Sequence, residues 1–178
     1  MRALGNIGVA TLFMCISAAW AVDGYQDLQF GMNQQQAGQY LEAECSSVDI
    51  QSNTIQASKC FRVAGQEPEV NAIFDGEEKL VAIELDFANP FSQSVDEGLG
   101  RRIADGLNKA YQLDDHTSVD GIQFLVFEGG QVIFRFGLTI NHFLGFAQPV
   151  TSIVYAAPET GESLMERWGL GSADPSEF

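Results

Sequence analysis

Basic residues are scarce in this chain. Nine lysines and arginines stand against 24 aspartates and glutamates, a formal net charge of −15 over 178 residues. Such a surface repels nucleic acid and anionic headgroups, and it attracts cations or basic proteins. Acidity also serves solubility alone, so charge does not by itself choose between steering and solvation. Histidine is limited to His116 and His142. No second His or Cys cluster completes a metal shell, and Asp114, Asp115 and His116 are adjacent, a spacing that seldom converges on one ion. No G-x-S-x-G motif occurs, and Gly129-Gly130 is followed by neither a helix start nor a lysine that would cradle phosphate. Paired acids such as Glu42/Glu44, Glu77/Glu78 and Asp114/Asp115 are expected by chance in so acidic a chain and read as hydrated surface. No catalytic residue, metal or cofactor is assigned. No apolar run approaches the roughly 20 residues that span a bilayer.

What is present begins with an address. Arg2, the uncharged stretch Ile7–Ile16 and Ala19-Trp20-Ala21 predict a signal peptide over residues 1–21, cleaved near Ala21, and a periplasmic or secreted protein. Cys15 falls inside that stretch, and Leu12-Phe13-Met14 before it lacks the small residues of a lipidation site. Cys45 and Cys60 remain, an even pair in an oxidising compartment, and are expected to form a disulfide. Closing a loop of that size stabilises by roughly 3 kcal/mol in the chain-entropy model.

Along the chain, Asn33 with Gln36 in the capping-box position opens a first helix that ends near Cys45. Residues 46–58 read as a polar loop and 59–63 as a short strand. Val70–Phe74 and Leu80–Phe87 form a hairpin about Asp75-Gly76-Glu77-Glu78, with Val81, Ile83, Leu85 and Phe87 on one face and Glu84 and Asp86 on the other. Ser94, with Glu97 three residues on, caps a second helix whose stripe is Val95, Leu99, Ile103, Leu107, Ala110 and Tyr111. A polar loop through Asp114-Asp115-His116 leads to a second hairpin, Ile122–Phe127 and Gln131–Leu138, about Glu128-Gly129-Gly130. Thr151–Ala156 is a last strand, and Glu159–Trp168 a short helix with Trp168 expected to cap the core. Phe124 and Phe127 fall on opposite faces of their strand, so both faces need a cover. The expected fold is α+β, an antiparallel sheet packed on two helices, with a tandem helix–β-hairpin repeat: a first unit over 22–90, a second over 91–168 and a loose tail over 169–178.

Asp27-Leu28-Gln29-Phe30-Gly31-Met32 entering a helix, followed by the hairpin Ile73-Phe74-Asp75-Gly76-Glu77-Glu78-Lys79-Leu80-Val81-Ala82-Ile83, resembles small periplasmic helix–hairpin proteins. Outer-membrane assembly lipoproteins of the SmpA/OmlA type and the β-lactamase inhibitory protein are built of such units. The resemblance covers most of residues 26–158 as a pattern and implies protein binding without catalysis; the absent lipidated cysteine departs from the SmpA/OmlA type. The expected function is a non-catalytic binding module, an inhibitor or immunity protein for a basic partner. The alternatives are an envelope-assembly accessory, a small-ligand carrier and an unrecognised hydrolase. The candidate contact residues are Phe143, Leu144 and Phe146, read as a loop with hydrophobic tips, with Asp114, Asp115 and Glu128 as acidic rim. Oligomeric state is not legible.

Overall fold

A computed structural model describes residues 22–89, 92, 94–141 and 146–170, with backbone alone at 141 and 146. The expected signal peptide lies outside the described residues. Strands β1 (Gly24–Tyr25) and β2 (Leu28–Gln29) form a small ribbon ahead of helix α1 (Gln34–Glu44). The capping box forms as expected: the Gln36 N–H donates to Asn33 Oδ1, and the Asn33 N–H to Gln36 Oε1. Four strands follow: β3 (Ser47–Ile50), β4 (Thr54–Ser58), β5 (Glu69–Phe74) and β6 (Leu80–Asp86). The expected loop over 46–58 is therefore a hairpin. Val48, Ile50, Ile55 and Ala57 alternate onto the helix side, while the other side is polar and meets water. The expected strand over 59–63 does not form, since Lys59 (φ 57°) and Ala64 (φ 51°) turn the backbone out of extension.

Helix α2 (Glu97–Ala110) starts two residues later than the Ser94 cap predicts. Asp96 is the N-cap, accepting from the Leu99 N–H at 2.9 Å, because Ser92 and Ser94 are engaged with each other in a preceding turn. Next come β7 (Leu113–Val119), β8 (Ile122–Phe127), the one-turn 3-10 segment Glu128–Gly130, β9 (Val132–Asn141), β10 (Phe146–Ala156) and α3 (Pro158–Arg167). The Asp114-Asp115-His116 segment is thus strand rather than loop. Asp120 and Gly121, both with positive φ, make the tight two-residue turn from β7 to β8.

The eight strands β3–β10 form one antiparallel sheet in the order β3-β4-β5-β6-β10-β9-β8-β7. Each of α1 and α2 is followed by four strands rather than the three expected, and the last strand of each set, β6 and β10, meets the other at the centre. One face carries the core beneath the helices. Leu41 from α1, Ile103 and Leu107 from α2, and Ile55, Ile83, Leu85, Phe127 and Ile153 from the strands are buried in a single cluster. Each such side chain contributes about 1.5–3 kcal/mol on burial. At the rim of the core Tyr25 packs on Tyr155 and Phe61, with ring centroids 4.7 and 5.3 Å apart.

The opposite face is covered at one end by the α3 segment. Phe124 is buried there beside Trp168, ring centroids 5.8 Å apart, while Phe127 is buried on the helix side, so both faces of β8 are covered as its pattern required. Trp168 caps this second apolar layer, not the core under α1 and α2. Close backbone contact brings α3 in: a Cβ added at Gly161 would lie 2.5 Å from the Gly130 carbonyl oxygen. Gly161→Ala is expected to destabilise the fold by about 1–3 kcal/mol despite its better helix propensity. Urea denaturation followed by Trp168 fluorescence would read this loss, and a neutral or stabilising result would show that α3 shifts without cost.

Candidate functional site

The acids that the sequence singled out serve the chain's own backbone. The Gly129 N–H donates to Asp114 Oδ2 at 2.6 Å, the Gln112 N–H to Glu128 Oε1 at 2.8 Å, and the His116 N–H to Asp115 Oδ1 at 2.7 Å. Asp114 and Glu128 thereby lock β7 to the 3-10 turn, where Glu128, Gly129 and Gly130 all hold positive φ. His116 is exposed, and β7 is an outer strand of the sheet. Among the described residues, no group of three His, Cys, Asp or Glu side chains is arranged to hold a metal ion. Cys45 and Cys60 are bonded, Cα atoms 4.0 Å apart, joining the C-cap of α1 to the residues after β4. None of the helices among the described residues is long and apolar enough to cross a membrane.

A polar seam crosses the sheet opposite the core. Arg135 on β9 reaches over β10, donating from Nε to Ser152 Oγ at 2.9 Å and from Nη2 to Glu84 on β6. Its guanidinium lies 4.7 Å from the centre of the Trp168 ring. Asp86, beside this pair, has its pKa raised, chiefly by burial and further by the Glu84 and Glu69 carboxylates; the Ala88 N–H, donating at 2.8 Å, and Arg135 act against the shift. A carboxyl raised in the folded state favours folding while protonated. That contribution is complete below its unfolded pKa and is lost as pH rises through the folded value. Asp86→Asn keeps an oxygen for Ala88 and removes the buried charge. It is expected to raise Tm at pH 7, with the gain vanishing near pH 3; a gain that persists at low pH would assign it to packing instead.

The remaining feature is an arm. β9 pairs with β8 only as far as Gly137, and β10 pairs with β6 only from Ser152 onward. Residues 138–141 pair with 146–149 beyond those limits, a two-stranded ribbon reaching roughly 13 Å past the sheet at about 3.4 Å per residue, with the Leu138 N–H still donating to the Gly121 carbonyl at its base. Pro149 is tolerated because its strand has no second neighbour there. Leu138 and Ile140, two residues apart on one side, are 37% and 63% exposed. With Thr139, Ala147 and the Asp120-Gly121 turn they line an open groove. From Phe136 to Pro158 the sequence contains no Asp, Glu, Lys or Arg. In a chain of net charge −15 that run is conspicuous, and it coincides with the arm. Phe143 and Leu144, like His142, lie outside the described residues; Phe146 opens β10. The expected hydrophobic loop is thus, where described, a continuation of two strands. Its signal was the unbroken alternation Phe134, Phe136, Leu138, Ile140.

No family model, curated protein or solved structure matches this chain. Its surfaces are read from their own chemistry.

Proposed function

We propose that this chain is a non-catalytic protein-binding module that works outside the cytoplasm and grips its partner with the β9–β10 arm. The observation that carries the reading is the arm itself, an uncharged ribbon bearing exposed Leu138 and Ile140 on a strongly acidic protein. Apolar side chains held out on a paired scaffold suit insertion into a partner's pocket. The acidic body around them favours a basic partner and speeds encounter with it. A secreted cell-wall hydrolase or toxin that the chain inhibits has this character. Arg2, the apolar stretch after it and Ala19-Trp20-Ala21 support export, and the Cys45–Cys60 bond suits an oxidising compartment.

The test uses the oxidised protein as bait in an envelope extract, beside a Leu138→Ser/Ile140→Ser variant. Both positions are exposed, so the variant should unfold within a few degrees of the parent. The expected result is one abundant basic protein, identified by mass spectrometry, retained by the parent, lost from the variant and released by salt. Retention of the same proteins by both baits would refute the arm as the binding element.

A further inference from the structure

On the core side of the sheet, a groove of about 350 Å³ runs between α2 and strands β8 and β9. Its floor is Leu125 from β8 and the stacked rings of Phe134 and Phe136 from β9, centroids 6.1 Å apart, with the exposed amide of Gln123 from β8 at its edge. Its wall is the α2 backbone itself. A Cβ added at Gly100 would come within 2.5 Å of the Phe136 ring, so helix and ring are in direct contact. Along the helix rim stand Glu97 and Arg101, one turn apart, both exposed and with no ion-pair partner among the described residues. An exposed pair at this spacing contributes little by closing on itself, so both charges are available to a ligand.

The choice of ligand follows from the two charges together. A carboxylate without an amine would meet Arg101, but Glu97 and the net negative body would repel it. An amine without a carboxylate would leave Arg101 unmatched. A zwitterion satisfies both and, being neutral, is not repelled by the body. We propose that this groove binds a free aromatic α-amino acid. The ring rests on the partly exposed Phe136 and Leu125, backed by the buried Phe134, the carboxylate meets Arg101, and the ammonium meets Glu97. The volume lies at the small end of the roughly 300–1,000 Å³ common for ligand sites. The groove shares no lining residue with the one along the arm.

The test titrates the oxidised full chain with phenylalanine, 3-phenylpropionate and phenethylamine, following the methyl resonances of Leu125 and Ala104 by NMR. Ala104 lines the same wall. Phenylalanine is expected to bind about tenfold or more tightly than either single-charge analogue. Glu97→Gln should erase its advantage over 3-phenylpropionate, and Arg101→Gln its advantage over phenethylamine; both positions are on the exposed helix surface, and retained α2 resonances confirm folding. The proposal is overturned by the absence of saturable shifts at Leu125 and Ala104, by equal affinity for all three probes, or by variants that bind phenylalanine as the parent does.

Discussion

Reduction of the Cys45–Cys60 bond, or its removal in a Cys45→Ser/Cys60→Ser variant, is expected to cost about 3 kcal/mol. At roughly 2–4 °C per kcal/mol for a chain of this size, Tm should fall by about 6–12 °C. The bond closes a loop of sequence separation 15 that contains the β3–β4 hairpin, at one edge of the sheet. β3 has only four residues and one strand neighbour, and α1 packs on both strands. Without the bond, the unfolded loop regains its freedom, and the hairpin retains few contacts to offset that. Both sulfur-bearing residues also pack against the core cluster, so the double serine variant should lose slightly more than reduction alone. Thermal unfolding with and without reductant measures the size of the effect. Hydrogen exchange locates it, with amides of β3 and β4 losing protection first. A fall under about 2 °C would mean that the hairpin is held by α1 rather than by the bond.

Arg135→Ala is expected to be the most damaging single change to a charged side chain. Removing one partner of a buried pair costs about 3–5 kcal/mol, because the other charge is left desolvated and unmatched. The side chains of Arg135 and Glu84 retain 20% and 21% of their exposure, which lowers the expectation to about 2–3 kcal/mol. The substitution also removes the bond to Ser152 and uncovers the Trp168 ring, so Trp168 fluorescence should shift in the native state. Glu84→Gln/Arg135→Met, which removes both charges and keeps volume, should cost less than Arg135→Ala, and urea denaturation of the three proteins reads this coupling. Equal losses in the single and double variants would show that packing on Trp168, not the ion pair, is what Arg135 supplies.

Local signals were the legible ones. The Asn33–Gln36 box and the turn in which Asp75 Oδ1 accepts from the Glu77 and Lys79 N–H groups each depend on residues within a few positions of one another, and both form as expected. β5 and β6 were legible because burial imposes an alternation that their composition shows, and β8 because it is apolar on both faces. β3, β4 and β7 were not: lying toward the two edges of the sheet, they carry polar residues wherever they meet water, so they read as loop. The second helix started late because Ser94 and Asp96 are equally good caps by type, and only the Ser92–Ser94 turn decides between them. The arm was half legible. Its apolar content was evident, but the expected strands stop at Leu138 and start again after Pro149, and nothing in the sequence says that the strand beside Pro149 ends three residues away. The α2 groove was out of reach. Glu97 and Arg101 show their shared helix face, but the aromatic floor comes from β8 and β9, whose place beside α2 depends on the whole sheet.

The meeting of β6 and β10 also bears on how the molecule is made. Arg135 and Glu84, which straddle this seam, are 51 residues apart, and the register Leu85↔Ile153 joins strands with α2 and three further strands between them. Contacts of such separation form slowly, since a long stretch of chain must be ordered before they are rewarded. Until β10 is made, the edge carrying Ala82, Ile83, Glu84 and Leu85 has no neighbour, an apolar strand open to pairing with another chain. A chain halted before Ile153 should therefore aggregate as nascent product, and a factor that shields β6 during synthesis should raise the yield of the native protein.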